Sequence, residues 1–317
     1  MPTPVRIALD IMGADLGPRA ALDGARLALT QHPNLHLMLV GDEHELNQFV
    51  RTHEGLASRV TCVPSTTVVS MRDAPTDALR NGGDSSMRVA IDCVANGQAE
   101  ACVSSGNTGA LVAMSKLVLK TIEGLRRPAL LTPIPSIDGV TIMLDVGANT
   151  KCKAQTLAEF AVMGSIVATT DYDIDSPRVG LLNIGVEAGK GHEVLNEADA
   201  MLRASSLNYV GFCEANNLFS SSIDVAVSDG FAGNIALKTM EGFSRFVASR
   251  AGSTSAGMAG LDPRAHNGAS LVGLRHVVIK SHGGADAVAL GHALDTAMTE
   301  ARAHVPQKIA EGLARLR

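Results

Sequence analysis

A chain of 317 residues, 46% hydrophobic and 19% charged, can bury a large core and lies far from disordered or fibrous compositions. A net charge of -5, no Trp and two Tyr argue against a nucleic-acid protein, which needs a basic surface and stacking aromatics. Five cysteines (Cys62, Cys93, Cys102, Cys152 and Cys213), odd in number and without a Cys-x-x-Cys pair, read as buried thiols of a reducing compartment, with no metal site expected.

From the N-terminus, a strand over 5–9, a helix over 19–31 and a strand over 35–40 make a βαβ pattern. An acidic residue and glycines come too early for a secretory signal, and the apolar runs fall far short of the roughly 20 residues that span a bilayer. Further strands are predicted over 101–104, 130–134, 141–144, 179–183, 209–212 and 225–227, and helices over 86–96, 108–119, 156–169, 192–204 and 234–248. The strands show little polar alternation, as expected when both faces are covered. The fold class is therefore α/β, a three-layer α/β/α sandwich with a mainly parallel, Rossmann-like sheet, read as one continuous body over 1–317. Ligands are expected outside the carboxyl ends of the strands. The low-complexity stretch 251–260 reads as a flexible insert.

Four strand-end turns offer chemistry. In 103–111, Ser104, Ser105, Gly106, Asn107 and Thr108 lead from a strand into a helix capped by Asn107 or Thr108; an anion fits such a helix start, and a plain capped turn is the alternative. In 144–153, Asp145 and Asn149 offer a carboxylate and an amide, and Lys151 and Lys153 offer positive charge; an Asp that caps the next turn and two solvated lysines are the alternative. In 183–191, a Gly-Lys-Gly turn carries Lys190, but the glycine spacing is not that of a Walker motif. In 225–238, Asp229 and Asn234 flank small residues at the head of a helix, an arrangement similar to a turn of phosphotransacetylases; a helix cap is the alternative. No Gly-x-Gly-x-x-Gly occurs, which disfavours a nicotinamide site, and no acidic cluster supports a metal-dependent decarboxylating dehydrogenase.

Seven spaced segments, 8–18, 85–90, 105–110, 144–149, 183–191, 229–241 and 268–283, together resemble the phosphate acyltransferase family of the PlsX type, related to phosphotransacetylases. Asp10, Asp15, Asn107, Asn149, Lys190, Asp229, Asn234, Lys280 and His282 keep the family pattern. The chain departs from it at Ala14, Lys151, Val186 and Ala188, and no direct role is expected of those four.

The resemblance implies transfer of a long-chain acyl group from acyl carrier protein to inorganic phosphate, giving acyl phosphate for phospholipid biosynthesis, without a cofactor. Its implied catalytic residues are Lys190, Asp229, Asn234 and His282; the implied phosphate-binding residues are Ser104, Ser105, Gly106, Asn107, Thr108, Asn149 and Lys280. It further implies a cytoplasmic homodimer in peripheral contact with the inner face of the membrane and with a membrane glycerol-3-phosphate acyltransferase. A helical insert at about 235–267, shorter than in many relatives, would present Phe243, Phe246 and Val247 as a small apolar face. Lys116, Lys120, Arg126 and Arg127 are the candidate contacts for the acidic carrier protein, with a solvated helix face as the alternative. The competing readings are an acyl-coenzyme A phosphotransacetylase and a non-catalytic scaffold for the carrier protein.

Overall fold

β1 (Val5–Asp10) buries every residue except Arg6, which an apolar run allows only where both sheet faces are covered. A computed structural model describes residues 4–187, 189–251 and 267–315. Pro18 sits in the first turn of α1 (Gly17–Gln31), whose buried stripe of Ala21, Leu22, Ala25, Ala28 and Leu29 packs on the core. β2 (Leu35–Gly41) follows, then α2 (Glu43–Thr52), capped by the Asp42 carboxylate. β3 (Val60–Pro64), α3 (Pro75–Asn81) and α4 (Ser86–Ala95) lead to β4 (Ala101–Ser104) and α5 (Thr108–Leu119).

The chain continues through β5 (Ala129–Ser136), β6 (Gly139–Leu144), α6 (Ala154–Tyr172), β7 (Val179–Leu182) and α7 (Glu193–Arg203). β8 (Tyr209–Cys213), β9 (Val225–Val227) and α8 (Gly230–Ala251) come next. After them come β10 (Ala269–Val272), β11 (Val277–Lys280), α9 (Ala287–Ala303) and α10 (Val305–Arg315).

These elements form two compact units, Met1–Thr121 with Asn267–Pro306, and Ile122–His266 with Gln307–Arg317. In the first, the strand order is β3-β2-β1-β4-β11-β10, parallel except for β10 against β11. The order reverses between β1 and β4, so their carboxyl ends diverge into opposite helices and leave the crevice where such sheets bind ligands. Ile7, Leu9, Leu35, Leu37, Val103 and Ile279 form its core with α1 and α9.

In the second unit the order is β5-β6-β9-β7-β8, with β5 and β6 an antiparallel hairpin and the remainder parallel. Gly164 lets α6 lie close on this sheet: a Cβ there would sit 2.6 Å from Val225 Cγ1 and 2.8 Å from Leu144 Cδ2. The mainly parallel sheet flanked by helices matches the expected fold class. Most boundaries move by a few residues, the start of α8 the furthest: it lies at Gly230 and not at 234, because Asp229 supplies the cap by accepting the Ala232 N–H at 2.8 Å. Ala188, the low-complexity stretch beyond Ala251 and the later half of the expected insert lie outside the described residues.

Candidate active site

The first unit gathers its polar groups at the switch between β1 and β4. Asp10, Ser104 and Lys280 end three neighbouring parallel strands in one register row, Asp10 opposite Ser104 and Ser104 opposite Lys280. Equal register on parallel strands places their side chains on one sheet face. The Ser104 hydroxyl donates to Asp10 Oδ2 at 2.7 Å and accepts the Gly106 N–H at 3.1 Å. Asp10 Oδ1 accepts the Met12 N–H at 3.1 Å. Burial pushes the Asp10 carboxyl above the usual carboxylate range, opposed by the Ser104 bond. Lys280, also buried, donates through Nζ to the carbonyls of Ser105 and Ser281.

Asn107 caps α5, its Oδ1 accepting the Ala110 N–H at 3.1 Å. Its Nδ2 donates to the carbonyls of Ser70, Met71 and Asp73 at 3.1, 3.2 and 2.9 Å, so this amide staples a distant loop to the helix start. Ser104 and Ser105 are buried. Among the described residues, the N–H groups of Thr108 and Gly109 have no protein acceptor, and they are the donors this turn offers a ligand.

His282 lies on the turn after β11. Its Nδ1 accepts the Gly284 N–H at 3.1 Å, so the neutral ring carries its proton on Nε2, where it can serve as a donor. Asp15 backs this turn: its N–H donates to the Gly283 carbonyl at 2.8 Å.

The second unit builds its site on Asp145, just beyond β6. Oδ1 accepts the N–H groups of Leu130, Gly147 and Ala148 at 3.0, 3.1 and 2.9 Å; Oδ2 accepts Asn149 N and Nδ2 at 2.7 and 2.8 Å. Burial raises this carboxyl's pKa and these bonds lower it, burial being the larger effect. Asn149 also donates Nδ2 to Pro128 O at 2.7 Å and accepts Arg127 Nη1 at 3.4 Å. Its amide therefore holds the turn. Asn234, in the first turns of α8, donates Nδ2 to Val146 O at 3.0 Å and ties the helix to the same loop.

Gly230 fits beneath that loop with its N–H on Asn149 O at 2.7 Å. The exposed Lys190 ammonium makes no hydrogen bond among the described residues. Asp229, Asn149, Asn234 and Gly230 thus share one corner of the unit, and Lys190 belongs to the turn after β7.

All five cysteines are free thiols, and burial pushes each above its ordinary range, Cys152 and Cys213 to about 12. A thiolate nucleophile is therefore scarce at neutral pH. Among the described residues, no cluster of three or more His, Cys, Asp and Glu could hold a metal ion. Asp145 is the turn-capping Asp that the sequence offered as one reading of this loop, accepting the Gly147, Ala148 and Asn149 N–H groups; Gly109 is the position that sequence reasoning left without a role. The Asp ending an apolar run just before a Gly-rich turn is the signal that pointed to Asp145.

Comparison with known proteins gives the arrangement its family. A family model described as "Fatty acid synthesis protein" matches residues 5–308. The phosphate acyltransferase of Nitrosococcus oceani is 47% identical, covering 98% of this chain and 96% of its own length. That of Methylococcus capsulatus is 45% identical, covering 96% of both. A phosphotransacetylase structure from Streptococcus pyogenes, 18% identical, covers 95% of this chain and 94% of its own with a TM-score of 0.65, a likeness of fold. By the length of these matches, the chain belongs to the phosphate acyltransferase family of fatty acid synthesis proteins and is an acyltransferase.

Proposed function

We propose that this acyltransferase moves a long-chain acyl group from acyl carrier protein to inorganic phosphate, releasing acyl phosphate and free carrier protein for phospholipid biosynthesis. The observation that carries the reading is the start of α5 at the β1/β4 switch, where among the described residues the half-buried Thr108 and Gly109 N–H groups have no protein acceptor. Such a site suits a phosphate dianion. Phosphate is itself the attacking group, so the absence of an ionised thiol costs the reaction nothing.

In this scheme a phosphate oxygen attacks the thioester carbonyl carbon, the carbonyl becomes an oxyanion, and the C–S bond breaks as the carbonyl re-forms. The departing thiolate takes a proton. His282, with its proton on Nε2, is the assigned hydrogen-bond donor to the oxyanion in the first unit. The second unit's candidates are proposed on that unit's own geometry: Lys190 offers positive charge, Asn234 an amide donor, and Asp229 a carboxylate that orients phosphate or handles a thiol proton. Asn149 and Asn107 contribute by fixing their turns.

Exposed Phe243 and Phe246 on α8 support a role of that face in a homodimer or in peripheral contact with the cytoplasmic side of a membrane. Among the described residues, no helix is long and apolar enough to cross one. Lys116 and Lys120, both exposed, are the carrier-protein contacts favoured in the first unit.

The test is incubation with a long-chain acyl carrier protein and phosphate, trapping the product with hydroxylamine. Phosphate-dependent hydroxamate is expected, and its absence overturns the reading; faster turnover of the coenzyme A thioester would move the activity to that donor. Lys190→Ala and Asn234→Ala should each lower turnover about 10²–10³-fold. Full activity in both would remove their assigned roles.

A further inference from the structure

We propose that Asp10 is a positioning residue for the phosphate-binding turn, acting through the Ser104 hydroxyl; the proposal rests on reading the start of α5 as the phosphate site. Ser104 is fully buried, so its hydroxyl has no path to a ligand in solvent. Its two bonds run inward, to Asp10 Oδ2 and from the Gly106 N–H.

A hydroxyl has one proton and two lone pairs. Facing an acceptor-only carboxylate, Ser104 must spend the proton on Asp10 and offer its lone pairs to Gly106. Asp10 thereby sets the direction of the Gly106 N–H, and with it the plane of the peptides that lead to Thr108 and Gly109. The turn is held from the other side as well, where Lys280 Nζ takes the Ser105 carbonyl at 3.2 Å.

The approach is close enough for orientation to matter. A Cβ on Gly13 would sit 2.6 Å from Gly106 Cα, 2.8 Å from Gly106 N and 3.1 Å from Asp10 Oδ2. The turns after β1 and β4 therefore meet backbone to backbone, with Asp10 beneath both.

A merely structural role would favour a different side chain. A carboxylate costs more to bury than an amide of the same shape, and burial does disfavour the charged form of Asp10. An Asn at position 10 would be the cheaper choice for stability. With its Oδ1 kept on the Met12 N–H, it would also turn its amide N–H toward Ser104, whose hydroxyl then accepts there, loses the Asp10 acceptor for its own proton and must rotate, which re-aims the lone pair that holds the Gly106 N–H. Stability and function are expected to part company at this position.

The experiment uses the full chain and measures phosphate and acyl carrier protein kinetics, with melting temperature alongside. For Asp10→Asn the Michaelis constant for phosphate should rise at least about tenfold, with that for the acyl carrier protein unchanged and the melting temperature held or raised. Ser104→Ala should show the same selective defect, and the double variant should be no worse than the poorer single, because both act through one relay. An unchanged phosphate constant in Asp10→Asn overturns the proposal, as do defects that multiply in the double variant or a collapse of the Asp10→Asn melting temperature. If Ser104→Ala fails to fold, Asp10→Asn alone decides. A wild type that forms no acyl phosphate overturns the functional reading itself; an active wild type matched by Asp10→Asn overturns this inference alone.

Discussion

Asp10 and Asp145 hold corresponding places in the two units, each a buried carboxylate where an apolar strand gives way to a glycine turn. Burial raises the pKa of both. They differ in what they hold. Asp145 accepts four backbone N–H groups and one side-chain amide, so the turn is wrapped on the carboxylate and its geometry is saturated. Asp10 reaches the neighbouring turn through a hydroxyl, and that link can be reversed by changing one atom. A buried carboxylate is thus a template in one unit and a relay in the other.

The largest effect is expected where the template is removed. Asp145→Ala would strand the buried N–H groups of Leu130 and Asn149, at about 1–3 kcal/mol apiece, and leave the half-buried Gly147 and Ala148 N–H groups to water. Even the lower figure sums to roughly 2 kcal/mol, a sizeable part of the about 5–15 kcal/mol that holds a domain together. Thermal unfolding should shift down by about 5 °C or more, or the variant should be recovered insoluble. A melting curve like that of the wild type would break the comparison, since Asp145 would then be no more a template than Asp10.

A smaller wedge distinguishes the turns themselves. Gly13→Ala presses on Gly106, whereas Gly230→Ala presses on the Asn149 backbone, 2.8 Å from its O and 2.9 Å from its N. Each overpacking should cost about 1–3 kcal/mol in denaturant unfolding. Gly13→Ala should in addition raise the phosphate Michaelis constant, because the atom it displaces belongs to the turn before α5. Equal stability loss with no kinetic change would separate the β1 turn from phosphate binding.

Much of the fold was legible because it is written locally. The apolar runs of β1, β2, β4 and β9 and the helix start at Asn107 need no distant partner to be recognised. The α8 boundary was misplaced because Asp229 and Asn234 are both good cap residues, and only the Ala232 bond decides between them. α2, β3, α3, β10, β11, α9 and α10 were passed over: β11 is only Val277–Lys280, and the Ala-rich α9 shows no sharp amphipathic stripe.

At the site, residue types were legible and their bonds were not. The Ser104 to Asp10 bond spans 94 positions, and Asn107 reaches back 34 to 37 positions to its carbonyls. Asn149 reads as a phosphate ligand from its turn, yet its Nδ2 lies on Pro128 and Asp145. Long-range pairing has no signature in one chain's spacing, so the amides that hold a turn look like the amides that would hold a ligand.

A third carboxylate extends the series to the case with an oxygen that holds nothing. Asp171, in the last turn of α6, has a buried Oδ1 without a hydrogen-bond partner, and burial pushes its pKa up to about 6 against a modest opposing pull from Lys308. It also sits at the helix end where carbonyl dipoles disfavour negative charge. Between the unfolded value near 4 and about 6, the folded state binds more protons than the unfolded chain, so stability falls as pH rises through that window and is level above it. Asp171→Asn removes the titrating charge. After allowance for solvent screening at a partly exposed site, the gain at pH 7.5 should be about 1–2 kcal/mol, read as a rise in melting temperature that disappears near pH 4. A variant that melts in parallel with the wild type across the whole range would mean that this carboxylate has found a donor of its own, and that burial alone does not set the order among the three.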